Sequence, residues 1–229
     1  MKRFWKAVTT APEGDQFGIA LDGRPVRTPG RAPMTVPNAV LAEKIADEWR
    51  AVAETIDPAA MPLTGLANAA IDRAGTDRKT FAATLAAYGE TDLLCYRADS
   101  PDDLVARQEM LWGPHLDWAQ ARYDIRLERV HGVMHVAQPV ATVARLNEAV
   151  AACSAHELAG LYPIVTITGS LVLALALLEA AAEADAIWQA ANCDEDWQAG
   201  QWGEDELAAK ARADKRASFD AGVRFLKML

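Results

Sequence analysis

The pattern of apolar and polar residues changes along the chain, from short alternating runs to helical spacing. The alternating runs lie among the first 36 residues, are rich in aromatic and β-branched residues, and predict short strands. The predicted strands are 3–8, 16–21, 24–28 and 34–36. Asp22-Gly23 predicts a tight turn, and Asn38 is the predicted N-cap of a helix that ends near residue 54.

The rest of the chain has mainly helical spacing, after a proline-punctuated linker over residues 57–64. A short buried strand or an extended segment is predicted over residues 92–96, and Ser100 is the predicted N-cap of the helix that follows it. The predicted helices are 65–73, 77–88, 100–120, one that follows Gln138-Pro139 and ends near 152, 155–191 with a break near 163–169, and a last one that opens at 204–206. We therefore predict an α+β fold, with a small β-containing N-terminal domain (1–64, including one helix) and a larger irregular α-helical bundle (65–229).

The most apolar run covers residues 164–178 and is 15 residues long. A membrane-spanning helix needs about 20 such residues, and Thr166, Thr168 and Gly169 interrupt this run. We expect a buried core helix with Ser170 as its N-cap, and no membrane insertion.

Residues 188–206 combine three of the seven tryptophans with six acidic residues. Tryptophan is a common anchor of protein interfaces, and carboxylates stay near water, so the segment is typical of a protein-binding surface. A helix that packs its tryptophans inward and solvates its acids is also consistent with the pattern, and the two interpretations are compatible. Both interpretations remain open at this point.

Negative charge is concentrated in the same part of the chain. Residues 146–209 contain 11 acidic residues and no Lys or Arg, so the remaining residues carry 23 − 21 = +2 of the total charge of −9. A negative field attracts basic partners and repels nucleic acid, so we expect no nucleic-acid partner.

Motifs for catalysis, cofactors or metals are absent from the sequence. There is no phosphate-binding glycine loop, and Ser170 lacks both the nucleophile-elbow motif and an evident base. His131 and His135 have the spacing of a metal pair, but their surroundings predict extended chain. Cys95, Cys153 and Cys193 are expected to be free buried thiols of a reducing compartment. We predict no enzyme, no cofactor and no metal site.

An ordered set of motifs runs through nearly the whole chain: Arg3-Phe4-Trp5-Lys6, residues 21–29, Met61-Pro62-Leu63-Thr64, Ala70-Ile71-Asp72, Tyr88, residues 91–98, Gln108, Trp112, Pro114, residues 116–119, Gln138-Pro139, residues 168–171, 194–198 and 202–205. This ordered set resembles the F1-ATPase assembly chaperones that act on the α subunit. The resemblance implies an α+β chaperone that binds the free α subunit, shields its subunit interface from aggregation, and releases it to the β subunit without ATP hydrolysis.

The resemblance also implies which residues contact the client. They are Asp194, Glu195, Trp197, Gln198, Trp202 and Asp205, with Glu195 in the leading role. The alternative for this set is structural: Trp197 and Trp202 as core residues, and Asp194 as a helix cap. Residues 21–29 are expected to form a structural hairpin.

Two other functions stay open from the sequence. A broad-specificity holdase or adaptor would bind many unfolded clients. A cofactorless small-molecule enzyme would need a polar pocket, with His115 a candidate for its wall. For the chaperone we expect a monomer when free. The family pattern begins by Arg3, which predicts a bacterial cytoplasmic location, with a mature mitochondrial matrix form left open.

Overall fold

We describe the protein from a computed structural model, which covers residues 2–132, 134–203 and 205–229. This part of the chain contains ten α-helices and six short strands, an α+β fold as predicted. The strands are β1 (Val8–Glu13), β2 (Gln16–Leu21), β3 (Arg24–Pro25), β4 (Thr35–Val36), β5 (Tyr96–Arg97) and β6 (Val130–His131). The helices are α1 (Ala39–Ala51), α2 (Pro62–Ala69), α3 (Arg78–Ala86), α4 (Asp102–Tyr123), α5 (Val140–Ala152), α6 (Ala155–Thr168), α7 (Leu171–Leu178), α8 (Ala184–Ala191), α9 (Cys193–Trp202) and α10 (Glu206–Leu226).

The chain forms two compact units. The first comprises Met1–Phe81, Cys153–Gly160 and Ala221–Leu229, and the second comprises Ala82–Ala152 and Leu161–Asp220. The first unit therefore contains all of the first 64 residues together with segments that come later in the chain. The domain boundary expected near residue 64 stays a prediction.

The first unit is built on a small antiparallel sheet with β2 at its centre. β1 pairs with β2 from Val8 opposite Leu21 to Glu13 opposite Gln16, and β3 and β4 also pair with β2. Helix α1 buries Leu41, Ile45 and Trp49 in the same core as the sheet residues. The predicted cap of α1 is confirmed, because the side chain of Asn38 accepts a hydrogen bond of 2.9 Å from the Leu41 amide.

The first predicted strand, over residues 3–8, is wrong, because β1 begins only at Val8. Arg3 and Trp5 bond instead to α1 and to the segment that directly follows it. The Arg3 amide donates to the Glu54 carbonyl at 2.7 Å, and the Trp5 indole donates to the Trp49 carbonyl at 3.3 Å. An aromatic run predicts burial, but only the long-range partner decides whether that burial occurs in a strand.

Two motif residues of the first unit, Asp22 and Asp72, accept hydrogen bonds from other residues of that unit. The Asp22 carboxylate accepts from the Lys6 and Ala7 amides, and the Ala7 bond is the largest cause of its lowered pKa. Asp72 accepts from the Thr28 hydroxyl at 2.6 Å and from the Gly30 amide at 2.7 Å. These bonds give the hairpin at residues 21–29 a structural role, in agreement with the prediction.

Helix α7 forms the buried centre of the second unit. Residues Leu171 to Ala176 are all buried, and the Ser170 hydroxyl accepts from the Leu173 amide at 3.0 Å, so the predicted cap is confirmed. Asp92 is fully buried, and its carboxylate accepts from the Val172 amide at 2.9 Å. Among the residues that the structure describes, no helix combines the length and apolar character that a membrane crossing requires.

Two predicted local features of the second unit differ from the structure. Residues 93–95 form a turn of 3₁₀ helix, and only Tyr96 and Arg97 form a strand, because the Asp92 side chain caps that turn by accepting from the Leu94 amide. Pro101, not Ser100, occupies the N-cap position of α4. The last helix, α10, begins at Glu206, which agrees with the predicted start at 204–206.

Candidate functional site

The six residues predicted to bind the client lie on α9 and on the connection from α9 to α10. The tryptophan-rich segment is not one helix: Trp188 belongs to α8 and is buried, and Asn192 separates α8 from α9. Gly203 ends α9 with a φ of 83°, a left-handed conformation that favours glycine. Asp205 then caps α10, since its carboxylate accepts from the Ala208 amide at 2.8 Å. Glu204 lies outside the described residues.

A cavity of 350 Å³ lies between α9 and α10, and we call it the α9–α10 groove. Its lining residues are Glu195, Gln198, Ala199, Trp202, Gly203, Asp205, Ala208, Ala211, Arg212 and Lys215. Four of the six predicted residues therefore line one cavity. Asp194 and Trp197 are not among the lining residues.

Trp202 is the main apolar surface of the groove, and it is 76% exposed. Its ring meets the half-buried ring of Trp197 edge to face, with the centroids 5.8 Å apart. The Trp197 indole donates a 3.0 Å hydrogen bond to Asp103 at the start of α4. Trp202 is thus not a core residue, and its ring packs against the half-buried ring of Trp197.

Asp194 bonds to the interior of the second unit instead of capping its helix. Its carboxylate accepts a 2.7 Å hydrogen bond from the side-chain amide of Gln108, which is only 2% exposed. The carbonyl oxygen of the same Gln108 side chain accepts from the Ala98 amide at 2.8 Å. A buried glutamine therefore connects the first turn of α9 to the chain just after β5.

Glu195 faces solvent at the rim of the groove. Its carboxylate lies 3.7 Å from the Lys215 ammonium group, and both side chains are more than half exposed. Its neighbour Asp196 is less exposed and accepts a hydrogen bond from Arg212, with Arg107 also close, 3.9 Å away. Glu195 is consequently the more accessible carboxylate of the pair.

The concentration of negative charge in the sequence is partly neutralised in the fold. Acidic residues of the segment 146–209 form ion pairs with basic residues that precede or follow it in the chain. These pairs are Glu179 with Arg122, Asp185 with Arg216, Glu195 with Lys215, and Asp196 with Arg107 and Arg212. The field expected from the sequence is therefore weaker than the segment's charge alone suggests.

Sequence reasoning identified the α9 side of the groove but missed the α10 side. Ala208, Ala211, Arg212 and Lys215 line the groove with spacings of three and four residues, which places them on one helical face. That spacing was visible in the sequence, but nothing local shows that this face lies beside Trp202.

Other chemically interesting side chains lie outside the groove. Burial raises the pKa of Cys95 to about 12 and that of Cys193 to about 11, so both thiols stay protonated near neutral pH. His115, the candidate for an enzyme's pocket wall, does not line the groove, and burial lowers its pKa. His131 belongs to β6, consistent with the predicted extended chain.

Comparison with known proteins connects this architecture to one family. The family described as ATP12 chaperone protein matches residues 2–120, which is more than half of the chain. Paracoccus denitrificans Atp12 is 40% identical, with a TM-score of 0.94 and coverage of 99% of this chain and 97% of that one. This chain belongs to the ATP12 chaperone family. The resemblance found in the sequence is thereby confirmed at the level of the family.

Two further solved structures show how completely the ATP12 fold extends over this chain. A point mutant of P. denitrificans Atp12p matches with the same TM-score of 0.94, identity of 40%, and coverage of 99% of this chain and 97% of that one. The Atu1473 protein of Agrobacterium tumefaciens matches at 40% identity with a TM-score of 0.93, covering 99% of this chain and 85% of that one. The ATP12 family match itself ends before α9, so the α9–α10 groove lies in the part covered by these whole-chain similarities.

Proposed function

We propose that this ATP12-family chain is an assembly chaperone that binds the free α subunit of F1-ATPase. It shields the subunit interface of α from aggregation and releases α to the β subunit, without hydrolysing ATP. An unassembled subunit exposes apolar surface that its partner later buries, and such surface aggregates when uncovered. A modest chaperone surface is sufficient, because the larger native interface can then replace it.

The observation that carries this proposal is the α9–α10 groove. It contains Trp202, which is 76% exposed and packs against Trp197, and the accessible carboxylate of Glu195 lines the same groove. Tryptophan is one of the residues that dominate the energetics of many protein interfaces once they are buried there. Glu195, Gln198, Trp202 and Asp205 are the proposed direct contacts, and Asp194 and Trp197 complete the proposed client-binding set.

The location and oligomeric state belong to the same proposal. The related solved structures come from Paracoccus denitrificans and Agrobacterium tumefaciens, which supports action in the bacterial cytoplasm. We expect a monomer when the protein is free, because a self-associated form that covers Trp202 would compete with the client.

A capture experiment with separately expressed F1 α and β subunits tests the proposal. Wild-type protein should retain α and not β, and Glu195→Lys should weaken the capture of α. Charge reversal at this exposed site should leave the fold intact, because an exposed ion pair contributes at most about 1 kcal/mol. Asp15→Lys is the matched control: it makes the same charge change at an exposed residue of the β1–β2 turn.

The other possible results of the capture experiment would favour a different function or a different binding surface. Equal capture of α and β would favour the broad-specificity holdase. Capture of neither subunit would refute the proposed client. Equal weakening by Glu195→Lys and Asp15→Lys would show that net charge, and not the groove, determines binding.

A further inference from the structure

The rim of the α9–α10 groove contains a weak ion pair. The Glu195 carboxylate and the Lys215 ammonium group are 3.7 Å apart, with side-chain exposures of 59% and 52%. Well-formed hydrogen bonds between ammonium and carboxylate groups are about 2.7–2.9 Å long. This pair is therefore loosely held and open to exchange with another cation.

The other charged groups of the groove are more firmly engaged. Arg212 donates to Asp196, and both side chains are less exposed than those of the rim pair. Asp205 accepts from the α10 backbone at Ala208. In residues 2–132, 134–203 and 205–229, the one basic side chain that pairs with Glu195 is the long and flexible Lys215.

Apolar surface lies two helical turns from this carboxylate. Glu195 and Trp202 are seven residues apart on α9, a rise of about 10 Å. Ala199, Ala208 and Ala211 line the same groove with methyl groups, beside the polar side chain of Gln198. An amphipathic helix with a basic residue and a large apolar residue two turns apart fits this arrangement, since its charge complements Glu195 and its apolar face reaches Trp202.

We propose that, in the free protein, Lys215 occupies the position beside Glu195 that a basic residue of the client takes in the complex. In the free protein it lies beside Glu195, and a client helix displaces it by pairing its own Lys or Arg with Glu195 while its apolar face packs on Trp202. This inference deepens the proposed function and rests on it for the identity of the client. Glu195 then selects for basic clients, and competition from Lys215 reduces their affinity.

A direct test uses synthetic peptides as probes. The probes are two alanine-based helical peptides that differ at one position. Both carry two Leu residues four positions apart. Seven positions from the first Leu, one peptide carries Arg and the other carries Gln. Binding to the full chain is followed by fluorescence anisotropy of the dye-labelled peptides. The Arg peptide should bind more tightly than the Gln peptide, and Glu195→Gln should remove this difference.

The critical variant is Lys215→Met. It should tighten binding of the Arg peptide by about two- to fivefold, the range that an exposed ion pair is worth. Lys210→Met is the matched control, because Lys210 is an exposed lysine of the same helix that does not line the groove. It should leave the affinity unchanged. Urea unfolding of both variants checks that the fold is intact.

Three results would overturn the inference: equal affinity for the two peptides, unchanged or weaker binding by Lys215→Met, or no peptide binding at all. None of these refutes the proposed function if wild-type protein still captures the F1 α subunit. Conversely, the expected peptide results without capture of α would support the selectivity of the groove and refute the proposed client.

Discussion

Replacing Gln108 with leucine tests whether this buried glutamine holds α9 in place. Gln108 is 2% exposed and makes two hydrogen bonds: it accepts from the Ala98 amide at 2.8 Å and donates to Asp194 at 2.7 Å. Leucine has a similar size but cannot form either bond. Gln108→Leu should therefore leave an amide and a carboxylate without these partners, while the apolar packing changes little.

The expected cost follows from these two bonds. An unpaired buried amide costs about 1–3 kcal/mol, and a hydrogen bond to a charged group is worth about 1.5–3 kcal/mol. Ala98 and Asp194 are both only half-buried, so water replaces part of the loss. We expect Gln108→Leu to lower the free energy of unfolding by about 2–4 kcal/mol. Asp194→Asn keeps an oxygen that accepts from Gln108, and it should cost less.

Urea unfolding at pH 7, followed by circular dichroism, measures this effect. A double-mutant cycle with Asp194→Ala isolates the coupling between the two side chains, which should be about 1–2 kcal/mol. A Gln108→Leu protein within about 0.5 kcal/mol of wild type would refute the reasoning, as would additive effects of the two substitutions.

Two further predictions concern Trp202 and Asp92. Trp202→Ala should change the free energy of unfolding by less than about 0.5 kcal/mol, because the ring is 76% exposed. The same substitution should weaken α-subunit binding about tenfold or more. Urea unfolding measures the first effect and capture assays the second, and unchanged capture would contradict the prediction. Burial raises the pKa of Asp92 from 3.8 to about 6, so the folded state keeps its proton to higher pH than the unfolded state. The free energy of unfolding should consequently fall as pH rises from about 4 to about 6, by up to about 3 kcal/mol, and stay level above that range. Asp92→Asn should lack this component, and identical pH profiles of the two proteins would exclude it.

Features that depend on neighbouring residues were predictable from the sequence. Asn38 and Ser170 cap α1 and α7 as expected, because a cap bonds an amide only three residues away. The hairpin turn at Asp22-Gly23 also follows from local conformational preference, as Asp22 has a φ of 47° and Gly23 one of 78°.

Sequence motifs also identified the family and the segment that contains the groove. The motif order led to the F1-ATPase assembly chaperones, and the family match agrees with it. The interleaved tryptophans and acids identified α9 as an unusual helix. Their composition could not distinguish an exposed Trp202 from a buried Trp188, since both belong to the same apolar-acidic segment.

The tertiary structure decided which of these residues face solvent and which hold the fold. Asp194 meets Gln108 across 86 residues of sequence, and Lys215 reaches Glu195 from another helix. Periodicity fixes the side of a helix on which a residue lies, but not the element that covers this side. The sequence alone thus determined the caps of α1 and α7, the helical character and the family. The groove, its exposed tryptophan and the partial neutralisation of its acids depend on contacts between distant segments, which only the folded chain brings together.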